Sequence, residues 1–156
     1  MANPELLLSN QVCFLFHRID RAIVARYKPL LEKLRLTYPQ YLAMLALWEH
    51  DSMTVGQLCE ALVLDTGTVS PMIKRLASLG LVTKQREDGA DERVVHIALT
   101  EKGKAMEQAA AGIPRSLAAC VFESMDEYLT IKPLLETLAA RLERGCVGAE
   151  DKGAET

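Results

Sequence analysis

No apolar run in this chain of 156 residues reaches the ~18 needed for a membrane-crossing helix, so no membrane partner is expected. The opening residues, Met1-Ala2-Asn3-Pro4-Glu5, have neither a basic region nor a long apolar stretch, and no signal peptide is visible. Cysteine is sparse and scattered. The four, at 13, 59, 120 and 146, show no paired spacing and no Cys-x-x-Cys, which argues against a disulfide framework. Cysteine and histidine also lack ligand spacing, so neither a metal nor another cofactor is expected. These absences point to a reducing cytoplasm with resting thiols. Excess positive charge is missing too, since the net charge is −3. Residues 65 to 104 nevertheless carry seven Lys/Arg against six acids, while the remainder carries eleven against fifteen. A mildly basic segment sits on an acidic body. With 49% apolar residues, the length suits one domain with a real core.

The basic segment holds the strongest local pattern. Thr54 can cap a short helix over Val55 to Leu62; Asp65 can cap the next, and Gly80 can close it. Two short helices joined by a tight turn make a helix-turn-helix. Val69, Met72, Ile73, Leu76 and Leu79 share one face of the second helix. Thr66, Thr68, Ser70, Lys74, Arg75 and Ser78 fall largely elsewhere. Short hydroxyl side chains near a helix start, followed by Lys and Arg, suit entry into the DNA major groove.

Two strand-like runs come next, Leu81 to Arg86 and Arg93 to Leu99, around the polar turn Glu87-Asp88-Gly89-Ala90-Asp91-Glu92. A hairpin directly behind a recognition helix makes a wing, and Arg86 and Arg93 can flank a narrow minor groove. The competing reading is an amphipathic helix pair with a hairpin and no DNA role. The ordered succession of two helices, hairpin and Thr100-capped helix weighs against it. A second competitor is Asp65-Thr66-Gly67, which resembles the signature of homodimeric aspartic proteases. That chemistry needs paired carboxylates on an all-β scaffold. Asp65 has helical periodicity on both sides, and only two strands are convincing, so no enzyme activity is expected.

Ser9 or Asn10 can cap an N-terminal helix reaching about Tyr27, with Pro29 breaking or kinking the helix beyond that point. Val12-Cys13-Phe14-Leu15-Phe16 is apolar all round, as expected of a helix covered from more than one side, most simply by a second copy of the chain. Thr37 caps the next helix, with Pro39 in its first turn and Tyr41, Leu42, Leu45, Ala46 and Trp48 as its core face. Thr100 caps a long helix through about Phe122 that Gly112 and Pro114 should bend. Ser124 caps the last, whose stripe is Tyr128, Leu129, Ile131, Leu134, Leu135, Leu138 and Leu142, with Pro133 marking a kink or a later start.

The expected fold is α+β, mostly helical: a winged helix-turn-helix with N- and C-terminal dimerisation helices. One domain spans 1–146, with the winged helix at about 52–99 and dimerisation helices at about 6–35 and 101–144. Residues 147–156 form a small, charged, disordered tail. A two-fold homodimer would present two recognition helices to a near-palindromic double-stranded operator.

Several segments together carry a resemblance. Gln11-Val12-Cys13-Phe14, Tyr27-Lys28-Pro29-Leu30-Leu31, Leu36-Thr37-Tyr38-Pro39-Gln40-Tyr41 and Leu47-Trp48-Glu49 are similar to the organic-hydroperoxide-sensing branch of the MarR family. Leu64-Asp65-Thr66-Gly67-Thr68 with Pro71-Met72-Ile73-Lys74-Arg75, and Asp91-Glu92-Arg93 with Leu99-Thr100, resemble the same branch. The match covers about residues 6 to 142. The resemblance implies a homodimeric winged-helix repressor that leaves DNA when an organic hydroperoxide oxidises its N-terminal cysteine. Cys13 matches the sensing residue, and Tyr27 and Tyr38 match the two tyrosines that hydrogen-bond its thiolate. Read from the residues alone, Cys13 is more often a small core hydrophobe, and it is the resemblance that reverses this.

His17 departs from the branch, which often has Tyr there. It lies one turn from Cys13, where it can stabilise the thiolate, accept its proton, or pair with a carboxylate at an interface. Cys120 falls where some members carry a cysteine that resolves the sulfenic acid as a disulfide to the other subunit; alternatively it is a core cysteine. Cys59 is expected to pack, and Cys146 to lie at a frayed end. The alternative function on the same fold is a repressor released by a non-covalently bound small aromatic ligand, with Cys13 merely lining a pocket.

Overall fold

A computed structural model describes residues 3–86 and 95–144. The chain forms two compact units, Met1–Ile113 and Pro114–Thr156.

In the first unit, two 3-10 turns, Pro4–Leu6 and Leu8–Asn10, precede helix α1, Val12–Glu32. The expected cap residues are used in those turns. Asn10 Nδ2 donates to the Pro4 carbonyl at 2.9 Å, and Gln11 Nε2 to the Glu5 carbonyl at 2.6 Å. The helix therefore starts at Val12 behind Gln11, which makes no side-chain cap. Nor does Pro29 end it. Leu31 is buried and Leu30 packs on the core, while Pro29 lies exposed, so burial of the following turn outweighs the missing backbone bond.

Helix α2, Tyr38–His50, opens on the expected Thr37 cap, which Gln40 completes as a capping box. Its buried face is Tyr41, Ala43, Met44 and Leu47, rotated from the expected one, and Leu45 is exposed. Helices α3, Val55–Leu62, and α4, Thr66–Ser78, form the helix-turn-helix. Three short strands make the sheet: β1, Ser52–Thr54, β2, Val82–Arg86, and β3, Val95–Leu99. Strands β2 and β3 pair antiparallel from Val82↔Leu99 to Arg86↔Val95. Strand β1 was not expected. Three residues are too few to show alternation, and β1 exists because Met53 pairs with Ile97 on the far edge of β3, giving the order β1-β3-β2. Leu58, Val69, Ile73, Leu76, Leu81 and Ile97 join the α1–α2 residues in one core.

The long helix expected after Thr100 is two. Helix α5, Glu101–Ala110, ends before Gly112, and α6, Ile113–Val121, begins with Pro114 in its first turn, where a missing N–H costs least. In the second unit, Ser124 caps α7, Met125–Glu143, by accepting from Glu127 N–H at 3.1 Å. Pro133 lies inside α7 rather than at its start. Phe122 and Tyr128 meet edge-on, with ring centroids 5.2 Å apart. No α7 residue is buried, and Leu129, Leu134, Leu135 and Leu142 are exposed.

Between α3 and α4 the chain turns through Val63, at φ 53° and ψ 46°. Its N–H reaches the Glu60 carbonyl and Leu64 N–H the Cys59 carbonyl, closing α3 in the way usually served by glycine. A β-branched residue is strained there, and its side chain is exposed, so nothing packs against it in return. Val63→Gly should raise stability by about 0.5–1 kcal/mol, the left-handed penalty less the entropy cost of glycine. A thermal melt followed by circular dichroism checks this, and an unchanged or lower midpoint contradicts it.

Candidate functional site

The recognition face is built from its first residue. Asp65 caps α4, accepting from Thr68 N–H at 2.9 Å through Oδ1 and from Thr68 Oγ1 at 2.8 Å through Oδ2. The Thr68 hydroxyl bond, then its backbone N–H, holds the Asp65 carboxyl below its usual range. Asp65 is therefore a helix cap with its hydrogen bonds satisfied locally, which removes the protease reading. Val69, Met72, Ile73 and Leu76 are buried. Thr66, Thr68, Lys74 and Arg75 are exposed and Ser70 is half-buried. Thr66, Ser70 and Lys74 recur at four-residue spacing and so form one stripe. Thr68 donates its hydroxyl proton to Asp65 and faces a partner as an acceptor only. Cys59 packs on the core as expected, with Sγ 3.8 Å from Thr66 Oγ1.

The wing hairpin is present from its base to the Arg86↔Val95 pair. Arg86 ends β2. The turn from Glu87 to Glu92, and Arg93, lie outside the described residues, as does Cys146.

Cys13 lies exposed in the first turns of α1, beside exposed Val12, Leu15 and Phe16. His17 is exposed one turn on, its ring stacked with Phe14 at 6.4 Å. The tyrosines lie elsewhere. Tyr27 and Tyr38 hold their rings 4.7 Å apart at the junction of α1 and α2, and Tyr41 adds a third ring 5.6 Å from Tyr27. Cys13 precedes Tyr27 by fourteen residues on one continuous helix, a separation of about 21 Å at the α-helical rise. One chain thus joins the two tyrosines to each other and not to the cysteine. Cys120 lies exposed on α6, in the second unit.

Burial, then the proximity of Tyr38 and Tyr41, pushes the Tyr27 phenol from 10.0 to about 12. Burial, then Asp20, raises Tyr38 as well. Both are protonated donors at neutral pH, held in a region of low polarity. Beside them, Arg21, Val24, Lys28, Leu36, Tyr38 and Pro39 line a groove of about 680 Å³. Sequence reasoning missed Tyr41 as part of the ring cluster, although its three-residue spacing from Tyr38 puts both on one side of α2. Among the described residues no three or more Cys, His, Asp or Glu converge as a metal site, and no helix is long and apolar enough to cross a membrane.

The raised Tyr27 value carries a sign. Stability from its neutral phenol is complete below pH 10, the unfolded value, and is lost as pH rises through about 12. Denaturant unfolding should weaken across that window, and less so in Tyr27→Phe; equal losses in the two proteins would contradict the burial of this phenol.

Known proteins resemble this chain in sequence and in fold. The family described as transcriptional regulator SarA/Rot matches residues 25–109. The chain is 44% identical to the organic hydroperoxide resistance transcriptional regulator of Bacillus subtilis (strain 168), over 88% of this chain and 93% of that one. Among solved structures it resembles AbfR, a protein of Staphylococcus epidermidis. Reduced AbfR bound to DNA matches with TM-score 0.79 at 30% identity, covering 92% of this chain and 98% of that chain. Disulfide-formed AbfR matches with TM-score 0.61 at 31% identity, covering 88% and 90%.

Proposed function

This chain belongs to the organic-hydroperoxide-sensing branch of the MarR family of transcriptional regulators, and from that membership we propose that it is a homodimeric repressor whose Cys13 thiolate is the peroxide sensor. It is a DNA-binding protein and not an enzyme, and its place of action is the cytoplasm. Thr66, Thr68, Ser70, Lys74 and Arg75 read the major groove of a near-palindromic operator, and Arg86 and Arg93 make the minor-groove contacts of the wing.

The observation that carries the reading is the Tyr27–Tyr38 pair. Two neutral phenols are held together on a partly buried surface, and within one chain neither has a thiolate to serve. The separation of about 21 Å along α1 excludes contact within one chain and supports delivery of Cys13 by a second copy. The exposed apolar turns around Cys13 and the exposed Leu stripe of α7 are the faces that a second copy would cover. The phenols donate hydrogen bonds to sulfur and favour its anion, the nucleophilic form. His17, one turn from Cys13, can add a further hydrogen bond to the same sulfur.

The chemistry balances simply. The Cys13 thiolate attacks the distal peroxide oxygen and the O–O bond breaks. The alkoxide leaves as an alcohol after taking a proton, and Cys13 becomes a sulfenic acid. A second thiol, Cys120 of the other subunit, then displaces hydroxide, which leaves as water, and a disulfide forms. AbfR has been captured both reduced on DNA and in a disulfide form, which supports a redox cycle of this kind. The apolar residues beside Cys13 favour an alkyl hydroperoxide over hydrogen peroxide.

The groove beside Tyr38, with Arg21 and Lys28 on its wall, favours a second reading, release by a bound aromatic acid. Reversal by a thiol reductant separates the two. Cys13→Ser should keep operator binding and lose all response to organic hydroperoxide, while wild type releases DNA and recovers with reductant. Tyr27→Phe and Tyr38→Phe should each slow oxidation about tenfold, the effect of losing one hydrogen bond to a charged sulfur. Mixed dimers of Cys13→Ser with Tyr27→Phe,Tyr38→Phe chains carry either an intact composite site or none. Gel-shift titration with such mixtures checks the crossed arrangement, and full release by Cys13→Ser overturns the sensor reading.

A further inference from the structure

The tyrosine pair and the recognition helix are joined by an unbroken series of contacts, all within the first unit. Tyr38 packs on Tyr27, Tyr27 on Tyr41, and Tyr41 meets Trp48 edge-on at 6.3 Å. Trp48, about 15 Å along α2 from Tyr38 at the α-helical rise, donates its indole Nε1–H to the Gly103 carbonyl at 2.9 Å. Gly103 sits in the first turn of α5, against the chain that leaves the recognition helix. A Cβ there would collide with the Leu81 carbonyl oxygen, so the two backbones touch with no slack.

The same turn of α5 holds the end of the recognition helix by its carbonyls. Thr100 Oγ1 donates to Gly80 O at 2.7 Å, and Thr100 N–H to Leu81 O at 3.0 Å. Lys102 Nζ donates to Leu79 O at 2.6 Å. Carbonyls at a helix end otherwise need caps or water. Here every one of these acceptors is held by α5 and its cap, so the end of α4 moves with them.

Within the series, Tyr41 is held in the core by packing. Its hydroxyl is fully buried with no partner among the described residues. Nothing directional pins its ring, and displacement of Tyr27 is felt there first. Packed side chains carry coupling between sites where an element along them can take two arrangements.

We propose that Tyr41 and Trp48 are positioning residues that carry the redox state of the Tyr27–Tyr38 pair to the recognition helix, through the Trp48–Gly103 hydrogen bond and the grip of Thr100 and Lys102 on Leu79 to Leu81. The inference rests on the thiol-switch reading. When the sulfur leaves the phenols on oxidation, the ring series repacks, α2 shifts its hold on α5, and the end of α4 is turned out of register with the groove.

The protein contains its own reporter, because Trp48 is the only tryptophan. Its emission, in the full-length dimer treated with cumene hydroperoxide, should shift with the same rate as operator release, and the shift should be absent in Cys13→Ser. Trp48→Phe retains an aromatic ring but lacks the indole donor. Reduced, it should bind operator within about threefold of wild type; oxidised, its affinity should fall about tenfold less than wild type's, within the usual span of coupling between sites. Mass spectrometry should find its Cys13 oxidised as fully as in wild type.

An emission that stays still while wild type releases DNA overturns the proposal. So does a Trp48→Phe protein that releases as completely as wild type, or one that fails to bind even when reduced, which would make Trp48 a static brace. If Trp48→Phe does not fold, the wild-type emission decides alone. Failure of the thiol-switch reading looks different: wild-type Cys13 stays unoxidised, or DNA stays bound after its oxidation.

Discussion

Helix rise sets the constraint on which the proposed sensor depends. Fourteen residues of uninterrupted α-helix put about 21 Å between the thiol and the nearer phenol of the same chain. The helix stays uninterrupted because Leu30 and Leu31 beyond Pro29 are worth more buried than the lost backbone bond costs. Had Pro29 ended α1, the chain could have folded back toward its own cysteine. Because it does not, the proposed sensor makes dimerisation and sensing one requirement: the exposed apolar turns around Cys13 are also the surface a second copy would cover.

Burial gives those tyrosines their character. An exposed phenol would already exchange hydrogen bonds with water and gain little from a thiolate. Tyr27, raised to about 12, gives up its proton reluctantly and has lost much of its hydration. In the proposed site such a donor would discriminate between a thiolate and a neutral sulfenic acid. The same packing that creates it also ties it to α2, so a local change in charge has a mechanical continuation.

Much of this is legible in the sequence. Thr37, Thr54, Asp65, Thr100 and Ser124 all present themselves as caps and all cap, because a side-chain oxygen one residue before a helix leaves few alternatives. The recognition face follows from periodicity. The features that escape depend on partners far along the chain. β1 exists only through β3, the start of α1 is decided by side chains bonding back to Pro4 and Glu5, and the exposed Leu45 shows that 3.6-residue spacing fixes a face only as well as its neighbours do. Of the candidate site, the family resemblance points to Cys13, Tyr27 and Tyr38, but no pattern reveals that two lie together and the third apart. Trp48 looks like core filler in the sequence, since a hydrogen bond across fifty-five residues leaves no local trace.

The cap on the recognition helix has one more consequence. The N-terminus of a helix carries partial positive charge and ordinarily welcomes a phosphate. Here a carboxylate already occupies it, held ionised far below neutral pH. In the proposed docking a phosphate would meet repulsion, not a cradle, at the leading tip of the helix. On the helix itself the cations, Lys74 and Arg75, lie more than two turns further on. Approaches that would seat the tip on a phosphate are disfavoured, and the polarity of docking is set by a negative charge at one end of the reading element and positive charge toward the other. An acidic protein with a mildly basic face gains orientation in this way, at the expense of indiscriminate adhesion to any duplex.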